Sequence, residues 1–122
     1  MDDRKRIFER AKELGRIISQ TPEYAYLQAA NRGISGDSDA TEMLNKLREL
    51  QEALLDAVGK GETPNEEQER EFSDLQERIQ TSTRYQALIS SQTNFDKLME
   101  KVHRAIGQGI RTGEESRIII SS

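Results

Sequence analysis

Apolar residues return every three or four positions along most of the chain, a spacing that fits helices and not strands. Ile7, Ala11, Leu14 and Ile18 form one stripe, widened by Phe8 and Gly15. Met43, Leu47, Leu50, Leu54 and Ala57 form a second, with Leu44 beside it. Gln68, Phe72, Leu75 and Ile79 form a third. Tyr85, Leu88, Gln92, Phe95, Met99, Val102 and Ile106 form a fourth, broadened by Ile89 and Leu98. Steps alternating between four and three are the seam of paired helices. The expected fold is all-α: about five helices with a long antiparallel helical hairpin, assembled as an oligomeric helical bundle.

Helix punctuation sets the expected limits. The first helix should run from about Asp3 to Ser19, capped by Asp2 or Asp3. Thr21-Pro22 is an N-cap followed by a proline at the first helical position, which predicts a short helix from Pro22 to about Asn31. Gly33 to Asp37 reads as a loop, with Asn31 or Gly33 available for a left-handed cap. Ser38 or Asp39 should start a long helix that ends at Gly59 and Gly61. Thr63-Pro64-Asn65-Glu66 has the form of a capping box, with Thr63 as the cap. The helices on either side of that turn should form the hairpin. Thr81-Ser82-Thr83 starts a last helix expected to weaken at Gly107 and Gly109. Residues 1–110 then make a single helical domain and 111–122 a C-terminal tail.

The core available to this pattern is thin. Leu, Ile, Val and Phe number 26 of 122 residues, and charged residues make up 33%. A buried Leu or Ile contributes roughly 1.5–3 kcal/mol, while ordering each residue costs about 1–2 kcal/mol of backbone entropy. Apolar stripes left uncovered within one chain would therefore favour a homo-dimer or higher homo-oligomer. The candidate interface residues are Ile7, Phe8, Leu14 and Ile18 on the first helix. On the last helix they are Tyr85, Leu88, Phe95, Met99, Val102 and Ile106. These two stripes are expected to meet, with part of one left for another subunit.

Reactive chemistry is hard to assemble from these residues. There is no cysteine, which removes disulfides, thiolate metal sites and a thiol nucleophile. His103 is the only histidine, flanked by Val102 and Arg104, so a catalytic triad or a common zinc set has little to draw on. Glu66-Glu67-Gln68-Glu69-Arg70-Glu71 lacks the alternating ligands and central glycine of a calcium loop; carboxylates there suit the start of a helix. Gly107-Gln108-Gly109 is not followed by the Lys-Ser/Thr pair of a phosphate loop. We expect no catalytic, cofactor-binding or metal-binding residue and no enzyme activity. A lesser alternative is a pocket near Tyr24, Tyr26 or Tyr85 serving a small enzyme or ligand carrier.

Charge and hydropathy narrow the partners. No apolar run approaches the ~20 residues of a membrane span, and Met1 to Arg6 has no signal-peptide core. A cytoplasmic location is expected. Residues 1–20 hold six bases against four acids, whereas residues 62–78 hold seven acids against two bases. Such faces can set register between subunits or recruit a basic partner. A nucleic-acid role for Arg4, Lys5, Arg6, Arg10 and Lys12 is the alternative reading. The net charge of -4 and the interleaved Asp2, Asp3 and Glu9 weigh against it. Ile118-Ile119-Ile120 is expected to fold back on the helices, or to dock on a neighbouring subunit or partner, by strand addition for instance.

The order of these segments resembles the YlbF/YmcA/YheA family of small bacterial proteins over roughly residues 7–110. Ala11-Lys12-Glu13-Leu14-Gly15 with Ser19-Gln20-Thr21-Pro22-Glu23-Tyr24 is similar to the family's opening helix and turn. Leu47 to Glu67, including Gly61-Glu62-Thr63-Pro64-Asn65-Glu66-Glu67, resembles its long helix, turn and acidic restart. Tyr85-Gln86-Ala87-Leu88 through Phe95 to Ile106-Gly107 resembles its closing helix. The resemblance implies an all-α oligomer without catalytic residues, acting as an adaptor in a multi-protein regulatory complex. Some members modulate an RNA-processing endoribonuclease and influence competence, sporulation and biofilm formation. Certain of those members carry cysteines associated with iron–sulfur clusters, which this chain lacks.

Overall fold

The computed structural model describes residues 3–121, with side-chain surroundings for residues 3–116. It contains five helices: α1 (Asp3–Ile18), α2 (Pro22–Ser35), α3 (Ser38–Gly59), α4 (Glu66–Gln80) and α5 (Thr83–Ser121). No strand occurs among the described residues. The expected all-α class holds.

Local chemistry explains most helix ends. The Thr21 hydroxyl accepts a hydrogen bond from the Tyr24 amide at 3.3 Å, and Pro22 opens α2. Pro lacks the N–H that this position would leave unpaired, and its fixed φ suits the first turn. The α3 cap is Asp37 rather than Ser38 or Asp39; its Oδ1 accepts from the Ala40 amide at 3.1 Å. At the other end of α3, the Gly61 amide donates to Val58 and the Glu62 amide to Ala57. Gly61 has φ +72°, the left-handed conformation this C-terminal motif needs.

Three further expectations about ends are corrected. The α4 cap is Asn65, not Thr63: Asn65 Oδ1 accepts from the amides of Glu67 and Gln68 at 2.9 and 3.1 Å. Thr63-Pro64 lies before the helix. Second, α2 does not stop near Asn31 but passes through Gly33 to Ser35, and neither Asn31 nor Gly33 is left-handed. The extra turn buries Ile34 against Ala40 and Ile79, which offsets the modest helical cost of one glycine. Third, α5 does not end near Gly107. It continues past Gly107, Gly109 and Gly113, because glycine disfavours a helix without interrupting its hydrogen bonds and no proline follows. At about 1.5 Å per residue, its 39 residues span about 58 Å. The docking expected of Ile118-Ile119-Ile120 concerns side chains outside those described.

The helices pack as two pairs. α2 lies against α5, and α3 against α4. The rings of Tyr24 and Phe95 stand 5.8 Å apart, and Arg84 Nη1 donates to the Gly33 carbonyl at 3.1 Å. Advancing along α2 thus means retreating along α5, so the two run antiparallel. The pairs join where Ile34, Ala40 and Ile79 form a buried cluster, with Met43, Leu44, Leu47, Tyr85 and Leu88 packed on it. Leu27, Leu50 and Leu75 complete the buried apolar set.

Candidate interaction surface

α1 is the anomaly of the fold. Its apolar residues occupy one side of the helix, yet none of its residues is buried. Ile7 and Phe8 are 61% and 63% exposed, and Leu14 and Ile18 are half-buried. The expected meeting of the α1 and α5 stripes is not what forms: α2, not α1, lies along α5, and α1 has no extensive packing partner in the chain. The side chains explain the exchange. α2 presents Ala29, Ala30 and Gly33 near Ala87, Ser90 and Ser91 of α5. The Tyr24–Phe95 ring contact and the Arg84 hydrogen bond to the Gly33 carbonyl hold α2 along the face of α5 that α1 would need.

The proposed interface residues of α5 therefore divide. Tyr85 and Leu88 are half-buried and pack on the Ile34–Ala40–Ile79 cluster. Phe95 is half-buried and faces Tyr24. Met99 and Val102 are half-buried, and Ile106 is 49% exposed. The uncovered apolar surface lies on α1 and on the distal part of α5, and Ile17 and Ile110 extend it at 58% and 66% exposure. Neither was singled out from sequence. Ile110 lies beyond the expected end of its helix, and Ile17 lies off the stripe through Ile7, Leu14 and Ile18. Leu55, off the seam toward α4, and Val58, near the end of α3, are 64% and 61% exposed and were also missed.

The polar face of α1 mixes signs. Arg6 stands 3.9 Å from Asp3, and Arg10 stands 3.4 Å from Glu13. Exposed pairs of this kind add little stability, but they break up the positive field that a phosphate backbone would need. His103 is exposed on α5. Among the described residues no group of three or more His, Cys, Asp or Glu side chains is placed to hold a metal ion. No described helix is long and apolar enough to cross a membrane.

One concave surface of the described residues is a groove along α2 and α5. Two adjoining concavities of about 420 and 460 Å³ share Tyr26, Ser90 and Ser91. Tyr26 stands at the rim, 68% exposed. Lys97 and Lys101 border one end and Arg84 the other; Glu23 is the one acid among the lining residues. The groove therefore combines an apolar floor with a basic edge, and it holds no nucleophile–base pair.

Comparison with known proteins adds a lineage to this surface. Residues 7–111 match the family model described as control of competence regulator ComK, YlbF/YmcA. A UPF0342 protein of Streptococcus uberis is 26% identical over 100 residues, covering 82% of this chain and 89% of that protein. One from Leuconostoc mesenteroides is 24% identical over 97 residues, covering 80% and 83%. One from Lactobacillus acidophilus is 21% identical over 104 residues, covering 85% and 90%.

Proposed function

We propose, from the premise that this chain belongs to the YlbF/YmcA family, that it is a non-catalytic helical adaptor that self-associates and regulates through protein–protein contacts. The observation that carries the reading is surplus surface. The chain exposes 9811 Å², whereas a compact monomer of 13.9 kDa exposes about 6,700 Å². The difference, about 3,100 Å², exceeds the ~800 Å² per partner of a standard interface. In this reading α1 and the distal half of α5 supply the contact between copies, through Ile7, Phe8, Ile17, Ile106 and Ile110. Residues 1–110 act as the folded unit, with 111–122 extending from it toward partners. The assembled protein joins a cytoplasmic multi-protein complex. It acts in competence control and, by the family resemblance, in RNA processing, sporulation or biofilm formation.

Sedimentation equilibrium at micromolar concentration tests the reading. The expected result is a dimer or larger species; a stable monomer throughout that range rejects it. The competing nucleic-acid reading predicts salt-dependent RNA binding that weakens when Arg4, Lys5 and Arg6 are replaced by alanine. The acids set among the α1 bases support the adaptor over that alternative.

A further inference from the structure

Charge is divided along this protein, and α2 and α5 together hold 5 acids and 7 bases. Residues 37–82, which include α3 and α4, hold 13 acids and 5 bases; the remainder holds 9 acids and 13 bases. The basic part contains the α2–α5 groove, edged by Arg84, Lys97 and Lys101. The acidic part contains an exposed apolar pair, Leu55 and Val58, near the C-terminal end of α3. On a helix, Glu52 and Asp56 fall four residues apart along one flank of Leu55. Asp56 already meets Lys60 at 3.1 Å, an exposed contact that can exchange for another cation.

We infer that the α2–α5 groove receives the C-terminal part of α3 from a second copy of this chain. Leu55 and Val58 seat in the groove beside Tyr26 and Leu98, and Glu52 and Asp56 face Lys97 and Lys101. The occupant follows from charge. A groove with a basic edge disfavours α1, which carries six bases against three acids, and favours an acid-flanked apolar helix; α3 is such a helix. Opposed fields of this kind steer association and set register. The surplus area leaves room for this contact in addition to one through α1 and distal α5. Because it joins two different surfaces, it is heterologous. It closes a pair only if formed reciprocally, and otherwise builds rings or filaments. The inference rests on self-association but uses a surface separate from the one assigned to α1.

Sedimentation velocity of the full chain at about 0.05 M and about 0.5 M salt, where screening lengths differ roughly threefold, provides the test. At low salt the protein should form species larger than those at high salt. Lys97→Glu with Lys101→Glu should abolish the larger species, as should Glu52→Lys with Asp56→Lys. Combining all four substitutions should restore it. Glu114→Lys with Glu115→Lys, which changes net charge elsewhere by as much as Glu52→Lys with Asp56→Lys, should leave it in place. All the exchanged side chains are exposed, and circular dichroism confirms that each variant folds. Single-side reversals without effect overturn the inference, and so does failure of the four-fold variant to recover. Ile7→Glu with Phe8→Glu separates the two readings: it should remove the contact through α1 while leaving the salt-sensitive step in place. A chain that is monomeric at both salts rejects the adaptor reading and this contact together.

Discussion

Replacing Ile7 and Phe8 by alanine should weaken self-association far more than it weakens folding. Full burial of an Ile or Phe side chain is worth roughly 1.5–3 kcal/mol. Within one chain these residues remain 61% and 63% exposed, so about 1–2 kcal/mol of burial per residue is left for a partner. A two-fold contact uses both residues from each protomer, which brings the total to about 4–8 kcal/mol. At about 1.4 kcal/mol per tenfold, the dissociation constant should rise by about three to six orders of magnitude. Sedimentation equilibrium across a broad concentration range reads that constant directly, with helicity of the variant checked by circular dichroism. A shift of less than tenfold in a folded variant would show that the uncovered face of α1 is not where the copies meet.

Ile79, 1% exposed at the junction of the helix pairs, should be the most sensitive core position; Ile79→Ala should cost about 2–5 kcal/mol in urea unfolding. Gly61→Ala places a side chain at φ +72° and should destabilise by roughly 1–2 kcal/mol, readable as a lower thermal midpoint. Gly109→Ala should act the other way and stabilise by up to about 1 kcal/mol, because it lies within α5 and an added Cβ meets nothing within 4 Å. Asp37→Ala removes the α3 cap and should cost about 1 kcal/mol; a smaller loss than Gln28→Ala, at an exposed position within α2, would count against its role.

The helix count was legible in the sequence because the apolar residues keep a period near 3.6 and Thr21-Pro22 and Gly61 punctuate it with little ambiguity. Asn65 was harder to recognise. Thr63 three residues before Glu66 makes a plausible capping box, yet Asn65 bonds two amides at once and so satisfies two of the free donors at the start of α4. The continuation of α2 through Gly33 depends on Ile34 finding Ala40 and Ile79, contacts made across the chain. The pairing of helices was the least legible level. Periodicity identifies which face of α5 is apolar but not which helix covers it. Buried Leu27, the Tyr24–Phe95 ring contact and the Arg84 bond to the Gly33 carbonyl decide for α2, and none of these pairings can be read from one helix alone.

That outcome ties folding to assembly. A helix of 16 residues is marginal in water on its own, since nucleation is costly and propagation returns little per residue. α1 has no buried residue within its chain to offset that cost. Distal α5 carries three glycines, each of which lowers helix stability. Both segments are nonetheless patterned as amphipathic helices, with Ile7, Leu14 and Ile18 on one and Val102 and Ile106 on the other. A patterned face with no cover in its own chain is stabilised when another surface covers it, and the ordering of that face then becomes part of the binding free energy. On the self-association proposed above, the same residues would be structure in the assembly and recognition surface in the free chain, and a change in which surface covers α1 would change how firmly that helix is held.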